Sequence, residues 1–208
     1  GGAGEPDLLR IGGAAEMILY LLRHGVTRAN EAHLYCGSTD LPLSPEGCAA
    51  LERAKSTGRW PRADRYYTSG MRRTAETLGI LYPGVTAAAL PELREIDFGD
   101  FEMKSYEMLK EDPRYLAWIS GDNEKNVCPH GESGAQAQAR AQRALDALLE
   151  ENTDALAVTH GGVIAGAMET WFPEAGKNRY EWQPRPGAGY GILFEDGKPL
   201  HYWALPEA

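Results

Sequence analysis

The chain is expected to fold as an α/β domain with a mainly parallel central sheet, and three observations predict this. Met17-Ile18-Leu19-Tyr20-Leu21-Leu22 is an unbroken apolar run, the pattern of a strand buried on both faces. Ala155-Leu156-Ala157-Val158-Thr159 repeats that pattern far along the chain. Around them helix and strand signals alternate, as they do where crossover helices connect parallel strands. The two runs also end alike, in Arg23-His24-Gly25 and in His160-Gly161-Gly162. Ligands bind beyond the carboxyl ends of strands in open α/β sheets, so the two imidazoles are expected to meet there.

The 208 residues, 43% apolar, suffice for one domain with a full core. A formal net charge of -9 argues against nucleic acid or an anionic membrane as partner, since both need a basic face. A small anionic substrate needs only a local cluster of Arg. Cys36, Cys48 and Cys128 show no C-x-x-C spacing, which fits a cytoplasmic location and offers neither a zinc site nor a disulfide framework. No run is apolar enough for a membrane helix or a signal peptide. Gly-rich residues 1–16 are expected to be a tag or disordered extension, leaving 17–208 as a single domain.

Taken in order, the first strand leads into a short helix over Val26 to His33, with Asn30 placed to face an anion at its N-terminus. An irregular loop runs from Leu34 to Leu43. Ser44-Pro45-Glu46 then starts a helix, Ser as cap, Pro first, acid in the first turn, ending near Gly58. Asp64 to Thr68 reads as the second strand. The helix after it carries Arg72 and Arg73 in its first turn, against the macrodipole, an arrangement a bound anion explains. Ala87 to Leu90 predicts an edge strand, and Leu93 to Glu102 a loop or weak strand. Lys104 to Leu109 and Pro113 to Ile119 predict two short helices over the site. Glu132 to Glu150 is a helix with Ala141, Leu145 and Leu148 on one face. After the strand ending at His160, a helix is expected from Gly162 to Trp171. Tyr190 to Phe194 and Leu200 to Trp203 form a hairpin through Asp196-Gly197.

Arg23, His24, Arg73, His160 and one or more of Glu95, Asp97 and Glu102 suit phosphoryl transfer. Guanidinium groups bind phosphate oxygens bidentately and hold charge developing in the transition state. An imidazole kept neutral by flanking Arg can attack phosphorus, and a carboxylic acid can protonate the leaving oxygen and then deprotonate a water.

The string Leu-Leu-Arg23-His24-Gly25-x-Thr27-x-x-Asn30 resembles the signature of the histidine phosphatase (phosphoglycerate mutase-like) superfamily. The likeness continues through Tyr35-x-Gly37-x-x-Asp40-x-Pro42-Leu43-Ser44, Ser69-x-x-x-Arg73-x-x-x-Thr77, Leu93-x-Glu95-x-x-x-Gly99-x-x-Glu102, Gly131-Glu132-Ser133 and Val158-Thr159-His160-Gly161-Gly162. It spans residues 17 to about 203. The resemblance implies a three-layer α/β/α sandwich with a small helical cap at about 103–128. It implies His24 as nucleophile, Arg23, Arg73 and His160 around the phosphate, and Glu95 as proton donor and then base. It points to Arg73 rather than Arg72, and to Asn30, Thr27, Gly37 and the Gly161 amide as substrate-binding. No metal or other cofactor is implied. The chain departs from the family pattern at Ser69-Gly70-Met71, at Met103 and at His130, which stands near the pocket rim or on a surface loop.

Within the superfamily, mutases carry a Tyr and basic residues where this chain has Glu95-Ile96-Asp97-Phe98-Gly99. The pattern favours a hydrolase acting on a small phosphorylated substrate, and is nearest to the α-ribazole phosphatase and broad-specificity members. Tyr35, Phe101, Tyr106 and Trp118 either wall a leaving group or pack the cap. A phosphoglycerate mutase and a non-catalytic scaffold are the alternatives, and the chain is expected to be a monomer or homodimer. Gly187-x-Gly189-x-Gly191 is no nucleotide loop, because a strand rather than a helix follows.

Overall fold

A computed structural model describes residues 15–207. Its elements run β1 (Glu16–Arg23), α1 (Arg28–Glu31), α2 (Pro45–Thr57), β2 (Arg65–Thr68), α3 (Arg72–Leu81), β3 (Ala87–Ala89), α4 (Tyr106–Leu109), α5 (Pro113–Trp118), α6 (Gly134–Glu150), β4 (Ala155–Thr159), α7 (Gly161–Trp171), α8 (Arg179–Trp182), β5 (Gly189–Glu195) and β6 (Lys198–Leu205). One six-stranded sheet has the order β3-β2-β4-β1-β5-β6. Its first four strands are parallel, while β5 runs antiparallel to both of its neighbours, β1 and β6. The antiparallel edge follows from the Asp196-Gly197 turn, which is too short to connect parallel strands.

Both apolar runs are buried on two faces, as expected, and strand alternation divides them between two cores. Met17, Leu19, Leu21, Ala155 and Ala157 pack with Leu145 of α6 and Ile164 of α7. Ile18, Tyr20, Leu22, Leu156 and Val158 face the other way, onto Leu51 of α2 and Leu78 of α3. The result is helix, sheet, helix. Each fully buried Leu contributes roughly 1.5–3 kcal/mol, so a polar residue at any buried position of β1 from Met17 to Leu22 is costly. A third cluster, Phe101, Leu109, Tyr115 and Cys128, forms the cap.

Helix starts follow their local signals. Ser44 accepts from Gly47 N at α2, with Pro45 first, and Ser133 forms a capping box with Gln136 at α6. At other points the structure corrects the sequence reading. Residues 1–14 lie outside the described residues, but Glu16 belongs to β1, because it pairs with Glu195 of the hairpin. Of the two readings for Leu93 to Glu102 the loop holds and the weak strand does not, because two single 3-10 turns, Pro91–Leu93 and Gly99–Phe101, bend the segment. The helix expected over Val26 to His33 is confined to Arg28–Glu31 by its Thr27 cap. Short α8 was not foreseen, although Asn178 and Glu181 make its capping box. Among the described residues no helix is long and apolar enough to cross a membrane.

Candidate active site

Strand register builds the site. In the parallel pairing of β1 and β4, Arg23 lies opposite Thr159, so the next residues, His24 and His160, leave the sheet side by side. Their ring centroids are 5.2 Å apart. The neighbouring strand β2 delivers Ser69, whose hydroxyl lies 2.8 Å from His160 Nε2. A cleft of about 330 Å³ opens over these strand ends, lined by Arg23, His24, Thr27, Asn30, Arg73 and Glu95 together with Cys36 and Gln183.

His24 Nδ1 lies 2.7 Å from the Gly25 carbonyl oxygen. A carbonyl can only accept, so Nδ1 carries the proton and Nε2 keeps its lone pair. Burial is the main force on this ring. It lowers the imidazole pKa to about 3, the Arg73 charge and then that of Arg23 adding to it against the Gly25 hydrogen bond. His160 is fully buried and also held well below the usual range, first by burial and then by His24 and nearby Arg residues.

The Arg pair at the start of α3 separates cleanly. Arg73 is 1% exposed, donates from Nη1 to Thr39 O (2.8 Å) and from Nη2 to Gly37 O (2.7 Å), and lines the cleft. Arg72 points to solvent beside Glu76. The macrodipole of α3 is met by Asp40, whose carboxylate accepts from Arg72 N at 2.8 Å. Arg23 donates from Nη1 to Pro184 O (2.8 Å), while its buried Nε has no acceptor among the described residues. That nitrogen and the outer guanidinium edges supply cationic donors at one point, as an oxyanion requires.

Of the three carboxylates left open by residue pattern, Glu95 lines the cleft and accepts from Gly162 N at 3.0 Å. Glu102 instead staples the 37–39 loop, accepting from Gly37 N (2.9 Å), Ser38 N (2.8 Å) and Thr39 Oγ1 (2.7 Å). Asp97 accepts from Ser38 Oγ and Gly99 N. Gly37 is therefore a structural position: a Cβ there would stand 1.6 Å from the Ile96 carbonyl oxygen, and its own carbonyl orients Arg73 rather than lining the cleft. A Cβ on Gly161 would lie 2.4 Å from Gln183 Nε2 and 3.0 Å from Arg23 Nε, so a side chain there would displace these two groups. Thr27 and Asn30 cap α1 reciprocally, the Asn30 carbonyl oxygen accepting from Thr27 N and Oγ1. This leaves the Asn30 amide NH2 as the group for a cleft ligand. His130 sits on the surface, paired with Asp100, and does not line this cleft. Among the described residues no group of three or more His, Cys, Asp or Glu is placed to hold a metal ion, and all three cysteines are free thiols.

Residues 19–203 match the family model of the histidine phosphatase superfamily (branch 1). The chain belongs to that superfamily. It is 33% identical over 156 residues to the adenosylcobalamin/alpha-ribazole phosphatase of Salmonella typhimurium, covering 72% of this chain and 76% of that one. A crystal structure of a phosphoglycerate mutase from Thermus thermophilus superposes with a TM-score of 0.68 at 32% identity, covering 91% and 99% of the two chains. A crystal structure of a candidate alpha-ribazole-5'-P phosphatase from Escherichia coli superposes with a TM-score of 0.80 at 24% identity, covering 92% and 97%, and shares the fold. The expected α/β architecture and membership of a phosphatase superfamily both hold.

In this histidine phosphatase superfamily member, several site residues escaped sequence reading. Arg140, on α6, donates to Glu132 from Nε and Nη2 (both 2.8 Å) and to the carbonyls of Glu92, Arg94 and Glu95 at 2.6–2.8 Å. It therefore fixes the backbone that carries Glu95. Burial pushes the Glu132 carboxyl up, and the Arg140 fork overrides this to hold it below the usual range. Tyr180 and Gln183 enter the cleft from α8 and the turn after it; a capping box marks the helix, but nothing local marks its direction.

The buried imidazoles make a stability prediction. An unfolded imidazole takes up a proton near pH 6.5, whereas the native rings stay neutral to much lower pH. Between those limits the unfolded chain binds up to two more protons, so stability is lost as pH falls from about 6.5, by up to about 2.7 kcal/mol per pH unit. Urea unfolding between pH 7.5 and 4.5 measures that slope, and His160→Gln is expected to halve it. A slope unaffected by that replacement contradicts the neutral buried pair.

Proposed function

We propose that the protein is a metal-independent phosphomonoester hydrolase working through a phosphohistidine on His24. The observation carrying this reading is the His24–Gly25 hydrogen bond, which presents a neutral, unprotonated Nε2 among buried guanidiniums. In the first step the Nε2 lone pair forms the N–P bond as the P–O bond to the leaving group breaks, and Glu95 gives its proton to the departing oxygen. In the second step water attacks phosphorus, Glu95 takes the water proton, and the N–P bond electrons return to Nε2. Arg23, Arg73 and the Asn30 amide hold the phosphoryl oxygens throughout, with His160 wholly buried beside His24 and outside the cleft lining, and Arg charge is worth most where it meets the transition state. The Gly161 amide, at the first position of α7, adds a backbone donor.

The substrate is a small phosphomonoester. The name of the Salmonella relative supports α-ribazole 5′-phosphate as the first to test. The test is phosphate release from α-ribazole 5′-phosphate, nucleoside monophosphates, sugar phosphates and 3-phosphoglycerate, with chelator present. Release from at least one ester without metal is expected. Isomerisation of 3-phosphoglycerate without release would make the chain a mutase, and silence in both assays a non-catalytic scaffold.

A further inference from the structure

The catalytic cleft continues into an outer lobe of about 410 Å³. The two share Glu95, Ile96, Phe98, Gly162, Tyr180 and Gln183. Since Glu95 stands on the boundary, a phosphoryl group at His24 that is protonated by Glu95 on its leaving oxygen directs the leaving group into this lobe. The lobe is large enough for a ring-bearing alcohol. Phe98, Trp118 and Val163 give it an apolar wall, and the Phe98 and Trp118 rings pack edge to face at 6.0 Å.

Its charges are unbalanced. Glu124 and Glu169 line it with Glu95, against a single guanidinium, Arg179. That guanidinium is already committed: Nη1 donates to Glu124 at 2.7 Å, and Nη2 to the Gln138 side-chain oxygen. The Glu169 carboxylate, on a half-buried residue of α7, has no side-chain hydrogen bond or ion pair among the described residues. A carboxylate on the leaving group therefore meets one unneutralised acid and no available cation.

We infer that the outer lobe selects leaving groups with a flat apolar surface and no negative charge, and that the Glu124–Arg179 pair sets this selectivity. The assignment rests on the hydrolase reading above. It accounts for the Arg179 pairing, which joins the end of the cap (Glu124) to α8 and removes the one cation that would welcome an acid.

Three aryl phosphates test it, with 4-hydroxymethyl, 4-aminomethyl and 4-carboxymethyl substituents whose methylene insulates the ester from the added group. The carboxymethyl ester is expected to show a kcat/KM about tenfold or more below the hydroxymethyl ester, the order of effect of an uncompensated like charge in a partly desolvated site. The aminomethyl ester is expected to match or exceed the hydroxymethyl one. Glu124→Gln frees Arg179, and Glu169→Gln removes the unpaired acid. Each is expected to shrink the hydroxymethyl-to-carboxymethyl ratio by about threefold or more. Because the readout is a ratio on one enzyme, overall losses of activity cancel. Equal kcat/KM for the three esters in the wild type, or ratios unmoved in both variants, overturns the charge assignment alone. No phosphate release from any of the three overturns the hydrolase reading and the inference with it.

Discussion

His24→Ala is expected to lower phosphate release by about 10,000-fold or more, the scale on which removal of a nucleophile disables a catalytic unit. The loss is so large because the other groups cannot substitute. His160 lies in ring contact with His24, but its Nε2 is engaged with Ser69 and the ring is wholly buried. Arg23 and Arg73 remain to bind the ester, so the variant is expected to retain affinity for inorganic phosphate while kcat collapses. Rapid quench of the wild type into alkaline detergent with radiolabelled substrate is the companion measurement. It should trap label that is stable in alkali and lost in acid, as an N–P bond is, and the label should be absent from the variant. Substantial turnover by His24→Ala, or label that persists in acid, would move the nucleophile elsewhere.

Glu95→Gln carries the second large effect, and its pattern matters more than its size. An amide cannot give up a proton to the leaving oxygen, so hydrolysis of alkyl phosphates is expected to fall about 100- to 10,000-fold. For 4-nitrophenyl phosphate the departing oxygen is stable without that proton, so the first step should suffer far less. Water activation still needs the carboxylate, which predicts a burst of one nitrophenol per enzyme followed by slow turnover. The near-isosteric replacement keeps an oxygen for Gly162 N, now held at 3.0 Å by the Glu95 carboxylate. Equal losses on alkyl and aryl esters, with no burst, would show that Glu95 does not handle these protons.

The resemblance to the superfamily had already pointed to both residues, yet the physical content of that likeness is uneven along the chain. Arg23-His24 and His160 were legible from the residues themselves because two fully apolar strands each end at a His-Gly pair. Such a strand is recognised by its own burial pattern, and parallel pairing then forces its end beside its neighbour's. The cap was legible as short helices, and its aromatic residues divide as packing dictates. Phe101 is wholly inside and Tyr106 is exposed, while Tyr35 and Trp118 pack in the cap and also reach the cleft or its outer lobe.

What the sequence by itself determined were the features whose causes are local. Two-sided apolar runs specified the central strands, Ser44-Pro45 and Ser133 specified helix starts, and Asp196-Gly197 specified the final hairpin. Only the tertiary structure decided which of several like residues faces the cleft. Arg72 and Arg73 are neighbours on one helix, separated because the 37–39 carbonyls receive one guanidinium and solvent the other. Glu95, Asp97 and Glu102 share an irregular segment with no periodicity to orient them. Their directions come from distant partners, Arg140 on α6, Gly162 on α7 and the loop amides of Gly37 and Ser38. A side chain's facing in regular structure is dictated within one turn or pleat. In an irregular segment it is dictated by whatever the fold packs against it.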